Sequence, residues 1–158
     1  MVRKIVSIAL FLLSIFFVRD AVAQKEQSLK IMSYNIHHAN PPSKPGLIDL
    51  VAIANVIKQQ QPHLVALQEL DVHTKRSGTK LHELKALGRI TGMHFYFFKT
   101  IDYQGGAYGI GILSKYKLSA TKGYHLPTAA GTNGEPRGLA TAEVELPNRT
   151  KILFACTH

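Results

Sequence analysis

A mixed α/β fold, one parallel strand–helix–strand unit followed by antiparallel strands, is what the sequence predicts. Two apolar runs, Leu29 to Tyr34 and His63 to Leu67, flank a segment with helical spacing, Leu47 to Ile57. After Gly92, short runs rich in β-branched and aromatic residues alternate with Gly, Pro and Asn turns. The single cysteine, Cys156, rules out an internal disulfide framework, so packing alone must stabilise the domain.

The elements follow in order. Residues 1–23 read as a secretory signal: basic Arg3-Lys4, an apolar stretch of 14 residues from Ile5 to Val18, and Ala21-Val22-Ala23 as an A-x-A site. A bilayer span needs about 20 apolar residues, and no later stretch qualifies. The expected product is exported and soluble, secreted or periplasmic, with no transmembrane segment after cleavage. The signal holds three of the 19 Lys and Arg and one of the 10 Asp and Glu, leaving 16 against nine, a formal +7. That excess suits an anionic partner. The basic residues are scattered, however, and a solvated surface explains most of them equally well.

Residues 24–158 then form one domain, with no repeat or low-complexity tract. The strand Leu29 to Tyr34, ending at Ser33-Tyr34, is expected to be buried. The turn-rich Asn40 to Gly46 leads into the helix, which ends near Pro62. A second helix is expected from Leu81 to about Ile90. Five strands follow, over Met93 to Phe98, Gly109 to Leu113, Leu118 to His125, Leu139 to Leu146 and Lys151 to Thr157. Cys156 lies in an apolar run and reads as a buried core thiol.

Ligands of open α/β sheets bind outside the C-terminal strand ends. Asn35 follows the first strand and Gln68-Glu69 the second, so a carboxamide and a carboxylate meet at one sheet edge. Such oxygens suit a hard divalent cation, Mg²⁺ or Mn²⁺, which keeps several waters and takes one or two carboxylates. Equally open is the bland reading, in which Asn35 caps a turn and Glu69 is a solvated loop residue. Asp71 either supports the site from behind or caps a loop. His73, Lys75, Arg76 and His82 read as surface residues, although the Arg76 loop could reach substrate. Gly105-Gly106 reads as a turn, and Tyr108-Gly109 as aromatic packing beside a permissive glycine.

The ordered motifs "SYNIHH" (33–38), "PHLVALQELD" (62–71), "YGIGILSKY" (108–116), "EPRG" (135–138) and "FACTH" (154–158) resemble the endonuclease/exonuclease/phosphatase superfamily. "LVALQE" is the most specific of them. The resemblance implies a DNase I-like four-layer α/β sandwich of mixed β-sheets, incomplete in this chain. It implies Asn35 and Glu69 as metal ligands, and His158 and Arg137 as catalytic groups beside the scissile phosphate. Arg137 could instead be a strand-edge residue paired with Glu135 or Glu143. His37, His38 and Tyr108 are candidates for substrate binding, although a hard-metal site does not require the histidines.

The later "GD-x-N" and "SDH" motifs of the superfamily have no counterpart here. The expectation is therefore that 24–158 is the N-terminal part of the domain, in a truncated product or partial sequence, poorly stable and nearly inactive alone. The full-length parent is expected to hydrolyse phosphodiesters or phosphomonoesters of nucleic acid, lipid headgroups or sugar phosphates. No stable protein partner is implied. The competing reading is a non-catalytic remnant or binding module that keeps the scaffold. No aromatic-plus-basic stripe of the kind that tracks single strands favours a nuclease over the rest.

Overall fold

In the computed structural model, residues 28–128 and 134–158 are described. The signal segment, residues 1–23, lies outside them. The elements are β1 (Ile31–Asn35), α1 (Leu50–Gln60), β2 (Leu64–Val72), α2 (Glu83–Thr91), β3 (His94–Tyr103), β4 (Gly106–Ser114), β5 (Leu118–Leu126), β6 (Arg137–Glu145) and β7 (Lys151–Thr157). Two sheets result, one ordered β1-β2-β4-β3 and one ordered β5-β6-β7. The β1–β2 pair is parallel and every other pair is antiparallel, as the turn chemistry predicts.

Alternation along β2 explains the layering. Leu64 and Ala66 face the second sheet, packing with Ile110 and Ile112 against Ala140, Ala142, Val144, Phe154 and Cys156. Val65 and Leu67 face the opposite way, against Ile53, Ala54 and Ile57 of α1 and Leu84 and Leu87 of α2. Since β2 is buried on both faces, its first half, Leu64 to Leu67, reads as a continuous apolar run rather than an alternating one. Helices, first sheet and second sheet thus form three layers. Among the described residues no helix covers the outer face of the second sheet, and none is long and apolar enough to cross a membrane.

Local chemistry sets the helix ends. Asp49 caps α1 by accepting from Ala52 N at 2.9 Å, so the helix starts at Leu50 rather than at Leu47. Gln61 ends it in the left-handed conformation, just ahead of Pro62. His82, expected on the surface, is half-buried; its ring accepts from Lys85 N at 3.3 Å and caps α2. Gly111 is required by packing, since a Cβ there would meet Leu84 and Leu70 side chains at 2.5 and 2.8 Å.

Three strands depart from the expected reading, one of them β3, which runs on to Tyr103 instead of stopping at Phe98. β1, expected to be buried, is the edge of its sheet, and Ile31 is exposed. β2 runs on to Val72 instead of stopping at Leu67, so Gln68, Glu69 and Asp71 are strand residues rather than loop residues. The extension crosses a β-bulge between Leu67 and Leu70, where β4 supplies only Gly111 and Gly109 as partners. Glu69 is the extra residue, with a φ of 60°. Because of it Leu67 and Leu70 both face the helices, and the strand re-aims the intervening carboxylate toward the sheet edge.

Candidate active site

The bulge delivers Glu69 to the last residue of β1. Asn35 Nδ2 donates to Glu69 Oε1 at 2.7 Å, and Asn35 Oδ1 accepts from His37 N at 3.0 Å. The parallel register of Asn35 beside Gln68 makes this meeting possible. Gln68 itself turns into the interior, donating to Ser33 Oγ at 3.3 Å and Cys156 Sγ at 3.7 Å. Cys156 donates to Leu67 O at 3.4 Å, and burial pushes its thiol up to about 11. The cysteine is a core residue, as its sequence context indicates.

The second sheet brings the other pair. β6 begins at Arg137 and antiparallel β7 ends at Thr157, so Arg137 and His158 share one end of the sheet. Arg137 Nη1 lies 3.2 Å from His158 Nδ1. A guanidinium can only donate, so Nδ1 accepts and the ring proton sits on Nε2. That nitrogen stands 3.7 Å from Glu69 Oε1 and 3.5 Å from Asn35 Nδ2. Arg137 also pairs with Glu135 at 3.3 Å; Glu143, the other candidate, pairs in register with β5 and β7 instead. The four sequence-predicted residues Asn35, Glu69, Arg137 and His158 are therefore contiguous. Glu69 and His158 side chains keep 21% and 30% of their surface open to solvent, so a ligand can reach them.

Tyr108 joins them from β4, lining a recess with Thr100, Arg137 and His158. Burial, then the nearby Glu69 and Glu135 carboxylates, push its phenol up to about 12, so it is a neutral hydroxyl at any ordinary pH. Gly109 beside it is dictated by close approach: a Cβ there would lie 2.1 Å from Phe98 O.

Beside the site lies a buried network around Asp71, and it includes Arg76, which the sequence reading placed on the surface. Asp71 is fully buried and receives Arg76 Nε at 2.7 Å and Nη2 at 2.9 Å. Thr74 Oγ1 and Ser77 Oγ each donate to it at 2.7 Å. Burial alone would raise the Asp71 pKa, but hydrogen bonds from Arg76, Ser77 and Thr74 overcome it and hold the carboxyl low. Arg76 is half-buried, its guanidinium 4.4 Å from the Tyr103 ring centre. Its partner lies five residues away, and the Asp-x-x-Thr-x-Arg-Ser spacing is the signal that could have revealed it. Behind stands buried Glu83, whose Oε2 accepts from Asp71 N at 2.8 Å while Oε1 has no partner. Burial pushes its pKa up to about 7. His73 and Lys75 are exposed, as expected.

The two histidines after Asn35 occupy one tight turn, His37–Ala39, with φ values of 48°, 42° and 53°. Three successive left-handed residues fold this segment back over Glu69. Burial, followed by the Arg76 and His37 charges, lowers the His38 pKa against the opposing pull of Asp71 and Glu69. One nitrogen of each ring and a Glu69 oxygen lie within 4.8 Å of one another.

A profile of the endonuclease/exonuclease/phosphatase family matches residues 32–149. No curated protein sequence matches the chain. Among solved structures, an endonuclease/exonuclease/phosphatase from Beutenbergia cavernae is similar with a TM-score of 0.64 and 23% identity, over 82% of this chain and 38% of that one. TDP2 from Caenorhabditis elegans is similar with a TM-score of 0.60 and 23% identity, over 90% and 38%. The human Nocturnin catalytic domain gives 0.59 and 21%, over 90% and 53%. The chain thus spans from about two fifths to about half the length of these structures.

Proposed function

The chain belongs to the endonuclease/exonuclease/phosphatase family, and from that premise we propose that its sheet edge serves divalent-metal-dependent hydrolysis of phosphate esters in the full-length protein. The observation that carries the reading is the meeting of Asn35, Glu69, Arg137 and His158, drawn from three strand ends and one mid-strand bulge of two sheets.

The donor set fits a divalent cation. Glu69 offers a partly exposed carboxylate, and the amide of Asn35 holds one of its oxygens. A cation held by Glu69, with Asn35 beside it, would polarise a phosphoryl oxygen as a Lewis acid. Arg137 can then donate hydrogen bonds to a non-bridging oxygen as negative charge accumulates there. His158, with its proton on Nε2, can donate to the leaving alkoxide. Tyr108 adds a neutral hydroxyl at the recess, and His37 and His38 stand beside Glu69. Residues 1–23 carry the matching expectation that the protein acts outside the cytoplasm.

In the full-length protein, Glu69→Ala should lower Mg²⁺-dependent hydrolysis of bis-p-nitrophenyl phosphate by about 100-fold or more, near 2.7 kcal/mol of barrier. Unchanged turnover at saturating Mg²⁺ would sink the assignment. Running DNA, sphingomyelin and small phosphate monoesters in parallel separates the substrate classes. A folded protein inactive on all of them would favour the binding-module reading.

A further inference from the structure

We propose that His37, His38 and Glu69 form a binding site for a first-row transition dication, with two imidazole nitrogens joining the carboxylate. This rests on the reading of Glu69 as a metal ligand and specifies the kind of ion its surroundings select.

Three observations carry it. The first is proximity: one donor atom from each residue lies within 4.8 Å of the other two. Donors about 2.1 Å from a shared ion stand at most about 4.2 Å apart, so closure needs only side-chain adjustment. The second is orientation. His37 Nδ1 lies 3.0 Å from Asn40 O, a pure acceptor, so Nδ1 carries the proton and Nε2 keeps its lone pair. A backbone carbonyl fixing the far nitrogen in this way is the usual support of a metal-bound histidine. The third is an orphan, because His38 Nδ1 is buried without any hydrogen-bond partner. Native structures rarely leave such an atom unanswered.

The turn that presents the rings is costly, with three consecutive non-glycine residues at positive φ. Each left-handed residue costs about 1–2 kcal/mol, and such strain concentrates where a ligand is clamped. Asn35 meanwhile turns its nitrogen, not its oxygen, toward Glu69, because His37 N–H holds Oδ1. The free donors around the carboxylate are then imidazoles. Imidazole suits Zn²⁺, Co²⁺ or Ni²⁺, whereas Mg²⁺ prefers carboxylate and water.

The test is binding rather than turnover. Metal-free full-length protein is titrated with Co²⁺ and, separately, Mg²⁺ by calorimetry, alongside His37→Asn/His38→Asn and Glu69→Gln. Asparagine accepts positive φ, so the turn should survive. The expected result is a Co²⁺ Kd raised at least about 10-fold by the double histidine change, with Mg²⁺ affinity moved less than about twofold. In the unmodified protein, Co²⁺ should also shift the His37 and His38 ring protons paramagnetically, a readout that needs no variant. Unshifted rings with an unchanged Co²⁺ Kd would overturn the proposal. If the histidine change weakens Co²⁺ while Glu69→Ala leaves phosphoester turnover intact, the site stands and the catalytic reading falls. If the rings ignore Co²⁺ while Glu69→Ala abolishes turnover, the reverse holds.

Discussion

Two polar clusters sit side by side at one edge of the first sheet, and they are built on opposite terms. Around Asp71 the chain answers itself: Arg76, Thr74 and Ser77 saturate a carboxylate that is 0% exposed. Around Glu69 the side chains are part-open, the backbone is left-handed at Glu69, His37 and His38, and His38 Nδ1 goes unpaired. The same residue type, two positions apart on one strand, is in one case cement and in the other a socket. Burial with matched hydrogen bonds stabilises the fold. Exposure with strain and unmet donors holds a geometry in readiness for something else.

The sharpest way to break the comparison is Asp71→Ala, which leaves Arg76 facing an empty interior. It should cost about 3 kcal/mol in urea unfolding of the full-length protein, the scale for stripping one partner from a buried pair. A loss below about 1 kcal/mol would mean the network is ornamental.

Glu83, behind Asp71, gives a pH test. Its pKa in the fold is about 7, above the 4.5 of an unburied glutamate, so the folded state keeps a proton that the unfolded chain releases. Its contribution to stability is complete below about pH 4.5 and is lost as pH rises to about 7. The slope approaches about 1.4 kcal/mol per pH unit. Glu83→Gln cannot release that proton, so the wild-type minus variant difference in stability should decline over this window. A flat difference curve refutes the assignment.

The smallest effect separates the socket from the cement most directly. Glu69→Gly should raise stability by about 1 kcal/mol by relieving the positive φ, less the entropy that glycine adds to the unfolded chain. It should do so while removing activity. A destabilisation of several kcal/mol would place Glu69 in the cement after all.

Much of this was legible in the sequence because it is locally encoded. Apolar spacing and Pro or Gly punctuation placed both helices and all seven strands, although β2 and β3 each run five residues beyond their expected ends. Parallel pairing brought Asn35 and Glu69 to one sheet edge, while their roles, like those of Arg137 and His158, came from the family resemblance. What escaped was set by distant partners. The bulge that makes Glu69 the odd residue depends on how β4 registers against β2, and nothing within Leu64 to Val72 announces it. Arg76 looked like a surface cation because its burial depends on Tyr103 and Tyr108, contributed by the β3–β4 hairpin. His37 and His38 read as substrate contacts that a metal site does not require, because only a left-handed turn, invisible in residue types, swings them over Glu69.

The lone thiol of Cys156, tucked between the two sheets, carries a consequence for the protein's durability. With a pKa near 11, only about one molecule in 10,000 holds a thiolate at neutral pH. The nucleophile that starts disulfide exchange and peroxide oxidation is therefore almost absent, and its 2% exposure shields the sulfur itself. While the sheets stay packed, Cys156 is shielded from cross-linking between copies. Burial between the sheets thus keeps the Cys156 sulfur poorly reactive.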